Sequence, residues 1–364
     1  MQLTKKERFA NALARRPVDH VPVHEWAWDD TVERWTREGH LKPGEDVTEH
    51  FDMDQRGVVS LNCVANLDFK TVILEETDTT ILQLDGNGAT LRWPKGRSGT
   101  PEHVAFAVTN RAQWEEKVKP FLLDVDRRRI GFEDYRSTKT RAAANHEFFT
   151  CDTLAPFELM HRVCGHEHLL IGMALDPEWV KDMVMTYADM IIHHWQVLFA
   201  EEGLPDGIFY YEDMGFKGKP FMSPAMYRDI MKPGHKRLFD FAHSLKLPVL
   251  VHSCGYVEPL LADLIDAGMD CLHAIEVKAG MNLVDLFRKY GDRIAFFGGM
   301  DARALVANDR TWIERELEKI PLIINHGGGY ILRSDHSIPP EVDHETLHFF
   351  FERGRIIGTP KAKR

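Results

Sequence analysis

Cysteine is scarce in this 364-residue sequence, and the five present, Cys63, Cys151, Cys164, Cys254 and Cys271, are too scattered to form a disulfide framework. Their spacing predicts free thiols in a reducing compartment. No run approaches the ~18 consecutive apolar residues of a membrane span, and the opening MQLTKKERFA lacks the apolar core of a signal peptide. A cytoplasmic protein with no membrane partner is expected. Cations are also in deficit: 45 Lys and Arg stand against 56 Asp and Glu, a formal net charge of −11. Such a surface repels phosphate backbones, so no nucleic-acid partner is expected. Two catalytic signatures are missing too. No GxGxxG opens the first strand-to-helix turn, which argues against a dinucleotide-binding sheet. No GxSxG elbow accompanies His326-Gly327-Gly328-Gly329, which removes a lipase-type site.

What the chain does have is alternation. Thr4-Lys5-Lys6-Glu7 reads as a capping box opening an N-terminal helical segment. Short apolar runs then alternate with helical stretches: VPVHEW (21–26), one run within 56–75, FFTCD (148–152), GIFYYED (207–213), PVLVHSCG (248–255), CLHAIE (271–276), IAFFGGM (294–300) and GYILRSD (329–335). Asp176-Pro177 and Ser223-Pro224 supply N-cap and first-turn pairs for helices between them. Buried, β-rich runs separated by helices imply a parallel sheet covered on its outer side. Eight such runs predict an α/β protein with a closed (β/α)8 TIM barrel, a single domain over 1–364. TTILQLDGNGATLRWP (79–94), two alternating halves about a Gly/Asn/Asp turn, predicts a β-hairpin insertion.

Barrel chemistry is expected where strands end, and these strands end in reactive groups. Asp152, Glu212, Asp213 and His336 are the candidate catalytic residues. In His252-Ser253-Cys254 the outer two side chains share one face of a strand, so an imidazole and a thiolate can grip one Zn2+. A third ligand must come from another strand end, with His336 and Glu212 the first choices and Asp213 behind them. Cys271 stands at the opposite end of its strand and is expected in the core. Gly298, Gly299 and Asp301 fall where barrels often bind phosphate, and they are the candidate cofactor-binding positions. His344-Glu345-Thr346-Leu347-His348 matches HExxH, but it follows the last strand, where a helix packs on the outside of the barrel. His166-Glu167-His168 and His193-His194 are expected on helix surfaces or at helix termini.

The order of these pieces resembles the uroporphyrinogen decarboxylase superfamily over nearly the whole chain. TKKERFANALARRPVDHVPV (4–23), YEDMGFKGKPFMSPAMYRDIMKPGHKRLFDFAH (211–243), PVLVHSCG (248–255), GMDCLHAIEVKAGMNLVDLFRKYGDRIAFFGGMDARAL (268–305) and GGGYILRSDHSIPPEV (327–342) carry the likeness. True decarboxylases have an Arg-rich loop after the first strand. Here that stretch is His24-Glu25-Trp26-Ala27-Trp28-Asp29-Asp30, without arginine and with three acids, which would repel a polycarboxylate. The resemblance is closer to the branch that moves methyl groups to and from corrinoid proteins. It implies zinc on His252 and Cys254, with His336 where those enzymes have a later cysteine. It further implies a small methylated substrate or thiol and a corrinoid supplied by a separate cobalamin-binding protein; whether the chain forms a homodimer is left open by the sequence. Two alternatives remain: a metal-free decarboxylase using Asp152, Asp213 and His336, and a non-catalytic corrinoid- or tetrapyrrole-binding protein. Trp26, Trp28 and Trp35 are expected either to line an aromatic pocket or to pack an N-terminal lid.

Overall fold

The structure is a computed structural model that describes residues 2–96 and 99–360. Its centre is a seven-stranded parallel sheet of β1 (Gln55–Val59), β6 (Phe148–Leu154), β7 (Gly207–Tyr211), β8 (Val249–Ser253), β9 (Cys271–Ala274), β10 (Ala295–Gly298) and β11 (Tyr330–Ile331), in that spatial order. The segment 21–27 closes the gap between the two edges. Val23 bridges Leu332 in parallel, Leu332 N–H donates to Pro22 O at 2.8 Å, and Asp54 N–H donates to Val23 O at 2.9 Å. Pro22 has no N–H to give, so this stave pairs only in part. The curled sheet and its outer helices make the expected TIM-barrel-like α/β fold.

One pattern places the site. The barrel-lining column of five strands begins apolar and turns polar toward its carboxyl end: Phe148, Thr150, Asp152 on β6; Phe209, Tyr211 and then Asp213 beyond β7. The same happens in Leu250, His252, Cys254, in Cys271, His273, and in Ile331, Arg333. The apolar starts pack together around Phe9 of the helix Lys5–Leu13, which plugs the amino end of the barrel. Phe9 lies 4.8 Å from the Phe148 ring and 5.8 Å from Phe297. Thr4 caps this helix, its hydroxyl accepting the Glu7 N–H and its own backbone N–H donating to the Glu7 carboxylate, as the sequence predicts. Cys271 is fully buried in that plug. Water is excluded at one end, so the polar groups are confined to the other.

The insertion is larger than the sequence suggests. The hairpin 79–94 becomes β3 (Thr80–Leu84) and β4 (Ala89–Pro94), flanked by β2 (Val72–Glu76) and β5 (Glu102–Phe106) in a four-stranded antiparallel sheet. Its β5 edge packs on the helix Pro156–Leu175. β2 and β5 escaped the sequence reading because they are mostly exposed and lack clean alternation. Among the described residues, no helix is long and apolar enough to cross a membrane.

Candidate active site

Beyond β8 the strand period carries Cys254 onto the same face as His252, and the loop after β7 carries Asp213 beside them. The three groups converge. Cys254 Sγ lies 3.2 Å from His252 Nε2, and Asp213 Oδ1 lies 3.3 Å from the same nitrogen. Asp213 is held there because its Oδ1 also accepts the Cys254 backbone N–H at 2.7 Å. One ligand atom from each side chain falls within 4.8 Å of the others. A tetrahedral zinc with these donors would space them by ~3.3–3.6 Å, from its usual bond lengths.

The other ring nitrogen of His252 is engaged from the neighbouring strand. His252 and His273 are register partners on β8 and β9, and their Nδ1 atoms lie 2.6 Å apart. Burial and the charge of Arg333 hold His273 well below the usual imidazole range, so it is neutral and accepts from His252 Nδ1–H. Nε2 of His252 is thereby turned toward the thiol and carboxylate, the arrangement by which a partner fixes a ligand's orientation. Burial opposes a charge on His252, but Cys254 and Asp213 outweigh it and raise the imidazole to about 10. Asp213 is pushed the other way: burial would raise it, yet the facing His252 brings it down to about 2. A protonated imidazole thus sits beside the Asp213 carboxylate at the place where a cation would be bound.

Beside this cluster opens a cavity of about 500 Å³, with Trp26, Asp152, Phe209, Tyr211, Phe297 and Arg333 in its walls. Tyr211 joins the two, its ring 5.5 Å from His252 and 6.0 Å from Trp26. Asp152 is 5% exposed; its side chain bonds with Thr150 and Tyr211, while Oδ1 has no partner. Burial pushes this carboxyl up to about 8, against the pull of those two hydroxyls, so it carries a proton at neutral pH. Arg333 is also buried, and its Nε donates to Glu25 Oε1 at 2.9 Å. Asp152 is packed directly against backbone. A Cβ on Gly57 would stand 2.4 Å from Asp152 Oδ2 and 2.8 Å from Thr150 Oγ1. Gly57→Ala should therefore destabilise the protein by about 1–3 kcal/mol in urea unfolding. An unchanged midpoint would show that Asp152 does not occupy this position.

The remaining sequence candidates lie elsewhere. Glu212 alternates to the outer face. Its two oxygens accept the N–H groups of Phe157 (2.9 Å) and Glu158 (3.0 Å), capping the helix Pro156–Leu175, and Oε1 takes His235 Nε2 at 2.6 Å. His336 is exposed and belongs to a separate hollow of about 460 Å³ with Asp301, Asp335 and Trp28. Asp301 caps its own short helix and pairs with Arg303 at 2.7 Å. Gly298 has φ 104°, and a Cβ there would lie 2.5 Å from Ala274 O; Gly299 has φ 81° beside Leu283 and Ile275. Gly298 is needed for this close backbone approach, and both glycines suit their positive φ. Of the tryptophans, Trp35 is fully buried, Trp26 lines the cavity and Trp28 lines the His336 hollow. His344 of the HExxH match meets His40 and His50, not His252.

His273, Tyr211 and Arg333 were not singled out from sequence. Period-two counting from the apolar core places all three, and Asp213 rather than Glu212, on the inner face. That signal was present in the strands. Which inner residues meet across strands depends on register, which is not written in any one strand.

The uroporphyrinogen decarboxylase (URO-D) family model matches residues 58–355 of this chain. Two uroporphyrinogen decarboxylases from strains of Pseudomonas putida are similar in part. One is 34% identical over 90 residues, 25% of this chain and 24% of that protein. The other is 33% identical over 85 residues, 23% of each. The matched stretch therefore spans about a quarter of those relatives. Among solved structures, a methyltransferase from Methanosarcina mazei superposes with a TM-score of 0.66, covering 97% of this chain and 98% of its own at 16% identity. That likeness is one of fold.

Proposed function

Because this chain belongs to the uroporphyrinogen decarboxylase family, we propose that it is the methyl-transferring kind of barrel, moving a methyl group between a small methylated compound or thiol and a corrinoid carried by a separate protein. The observation that supports this reading best is the convergence of His252 Nε2, Cys254 Sγ and an Asp213 oxygen at the carboxyl end of the barrel. An imidazole, a thiolate and a carboxylate suit zinc, with a fourth position left for substrate. Asp213 takes the place in this set that the sequence offered to His336 or Glu212. Zinc, when bound, supplies a Lewis acid for a ligated thiolate or oxygen, and the corrinoid supplies the methyl carrier.

The chain's own groups do the rest. His273 keeps the His252 imidazole turned toward the other two donors. Trp26, Tyr211, Phe209 and Phe297 offer aromatic walls to a flat apolar substrate such as a methoxy-aromatic compound. Asp152, still protonated at neutral pH, is able to hand its proton to an oxygen that loses a methyl group. Arg333 and Glu25 neutralise each other in the wall. No arginine follows Val23 in the loop 24–30 to receive a porphyrinogen's several carboxylates.

Metal analysis tests the reading. His252→Ala and Cys254→Ala should each lower bound zinc by about one equivalent relative to wild type, since ligation free energy falls steeply when a donor is removed. Asp213→Asn should weaken binding by a smaller factor, on the order of tenfold to a hundredfold. Equal zinc content in wild type and both alanine variants overturns the metal role. Full turnover after chelation would instead support the metal-free carboxy-lyase.

A further inference from the structure

The inserted sheet and the helix after β6 bring together three histidines that the proposed reaction does not use. His103 stands on β5, while His161 and His166 stand on the helix Pro156–Leu175. On an unbroken helix, residues five apart point roughly 140° from each other and do not meet. Here Gly165 breaks the helix with φ 70° and ψ 160°. The Phe106 ring of β5 fills the space where a Cβ would stand, 2.4 Å away. The break returns His166 to His161, with ring centroids 4.2 Å apart and planes within 18°. His103 arrives from the sheet, 5.9 Å from one ring and 6.2 Å from the other.

His161 supplies the second, independent observation. It is 7% exposed, its Nε2 lies 2.7 Å from Glu158 Oε2, and its Nδ1 is buried without a hydrogen-bond partner. A buried polar atom left so costs about 1–3 kcal/mol. With Nε2–H given to Glu158, Nδ1 carries a lone pair. A carboxylate behind a histidine whose far nitrogen is free is the arrangement that orients a metal-bound imidazole. Arg162 holds Glu158 in place from the other side at 2.8 Å. One nitrogen from each of the three histidines lies within 4.8 Å of the others. Zinc would draw them to ~3.3 Å, and exposed His103 and half-buried His166 have room to turn.

We propose that His103, His161 and His166 form a second divalent-metal site, of the zinc class, that pins the inserted sheet to the helix following β6. Three imidazoles without a thiol suit zinc, and also cobalt, nickel or copper. The site uses none of the ligands proposed for the reaction at His252 and Cys254. Its helix begins at the residues capped by Glu212, so the pin would also steady the chain next to Asp213.

The test uses the full chain, stripped by chelation and refilled with Co2+ or Zn2+. His103→Ala should lose about one metal equivalent while keeping the thiolate-to-cobalt charge-transfer band that only Cys254 can give. Cys254→Ala should lose that band and keep cobalt bands typical of nitrogen ligands. In the Cys254→Ala chain, added Zn2+ should slow amide hydrogen exchange in β4 and β5 by roughly tenfold or more, and His103→Ala in that background should abolish the slowing. His103 is exposed, so its loss leaves the core intact. Metal content unchanged in both His103→Ala and His166→Ala overturns the site. Metal bound without any change in exchange overturns the pin. If Cys254→Ala alone loses no metal, the catalytic-zinc reading fails and this one stands.

Discussion

If the proposed methyl transfer is right, His252→Ala should lower its rate by roughly a thousandfold, the equivalent of about 4 kcal/mol of transition-state stabilisation from a Lewis acid. The expectation follows from how much depends on one ring. Its Nε2 is the shared neighbour of Cys254 Sγ and Asp213 Oδ1, and its Nδ1 meets His273. Removing it takes away the one group that both Cys254 Sγ and Asp213 Oδ1 face. Cys254→Ala should cost about as much, and the double variant little more than either single one, because ligands of one ion act as a unit. Single-turnover measurements with reduced cobalamin and a panel of methoxy-aromatic compounds and methylated thiols would follow the change in cobalt absorbance. The loss should fall on the chemical step rather than on KM. A melting curve for each variant separates this from unfolding. Rates within tenfold of wild type would end the methyl-transfer mechanism proposed for this cluster.

The second large effect is one of stability. Asp152 holds its proton up to about pH 8 in the folded protein because burial penalises its charge, whereas an unfolded aspartate loses it near ~4. Between those values the folded state binds more protons than the unfolded one, so stability falls as pH rises through this window. Four units at about 1.4 kcal/mol each set a ceiling of roughly 5 kcal/mol for this one group. Asp152→Asn keeps the shape and removes the titration. It should match wild type at about pH 3, below both values, and exceed it by roughly 3–5 kcal/mol at pH 9, read as the difference between urea midpoints at several pH values. Because every other group titrates alike in both proteins, the difference isolates Asp152. A difference that does not change with pH removes the raised carboxyl, and with it the proton donor of the proposed reaction. Where the donor role holds, the stabilised variant should also be the less active one, a trade expected where burial is used to hold a proton.

Both predictions concern residues that the sequence could nominate and could not connect. His252 and Cys254 were legible because two positions along a strand always share a face. Asp152 was legible as an acid closing an apolar run. Glu212 and Asp213 are neighbours of the same charge, and composition cannot rank them. The structure separates them: Glu212 turns out to cap the Pro156–Leu175 helix and meet His235, while Asp213 turns in toward His252. His336 was favoured by its place in a motif, yet it belongs to a different hollow. The sequence puts His166 on a helix surface or at a helix terminus, and Gly165 redirects it against His161.

The sequence by itself determined the barrel, since buried β-rich runs alternating with helices have few ways to satisfy their backbone groups and cover both faces. It also pointed to the carboxyl ends for candidate chemistry, where most inner columns turn from hydrocarbon to titratable groups. The tertiary structure alone decided which of those groups meet. Contacts such as His252 with His273, or His103 with His161, join residues on different elements, and their approach is set by strand register, a helix break and the docking of an inserted sheet. Those are properties of packing between segments, and no local pattern in a single segment contains them.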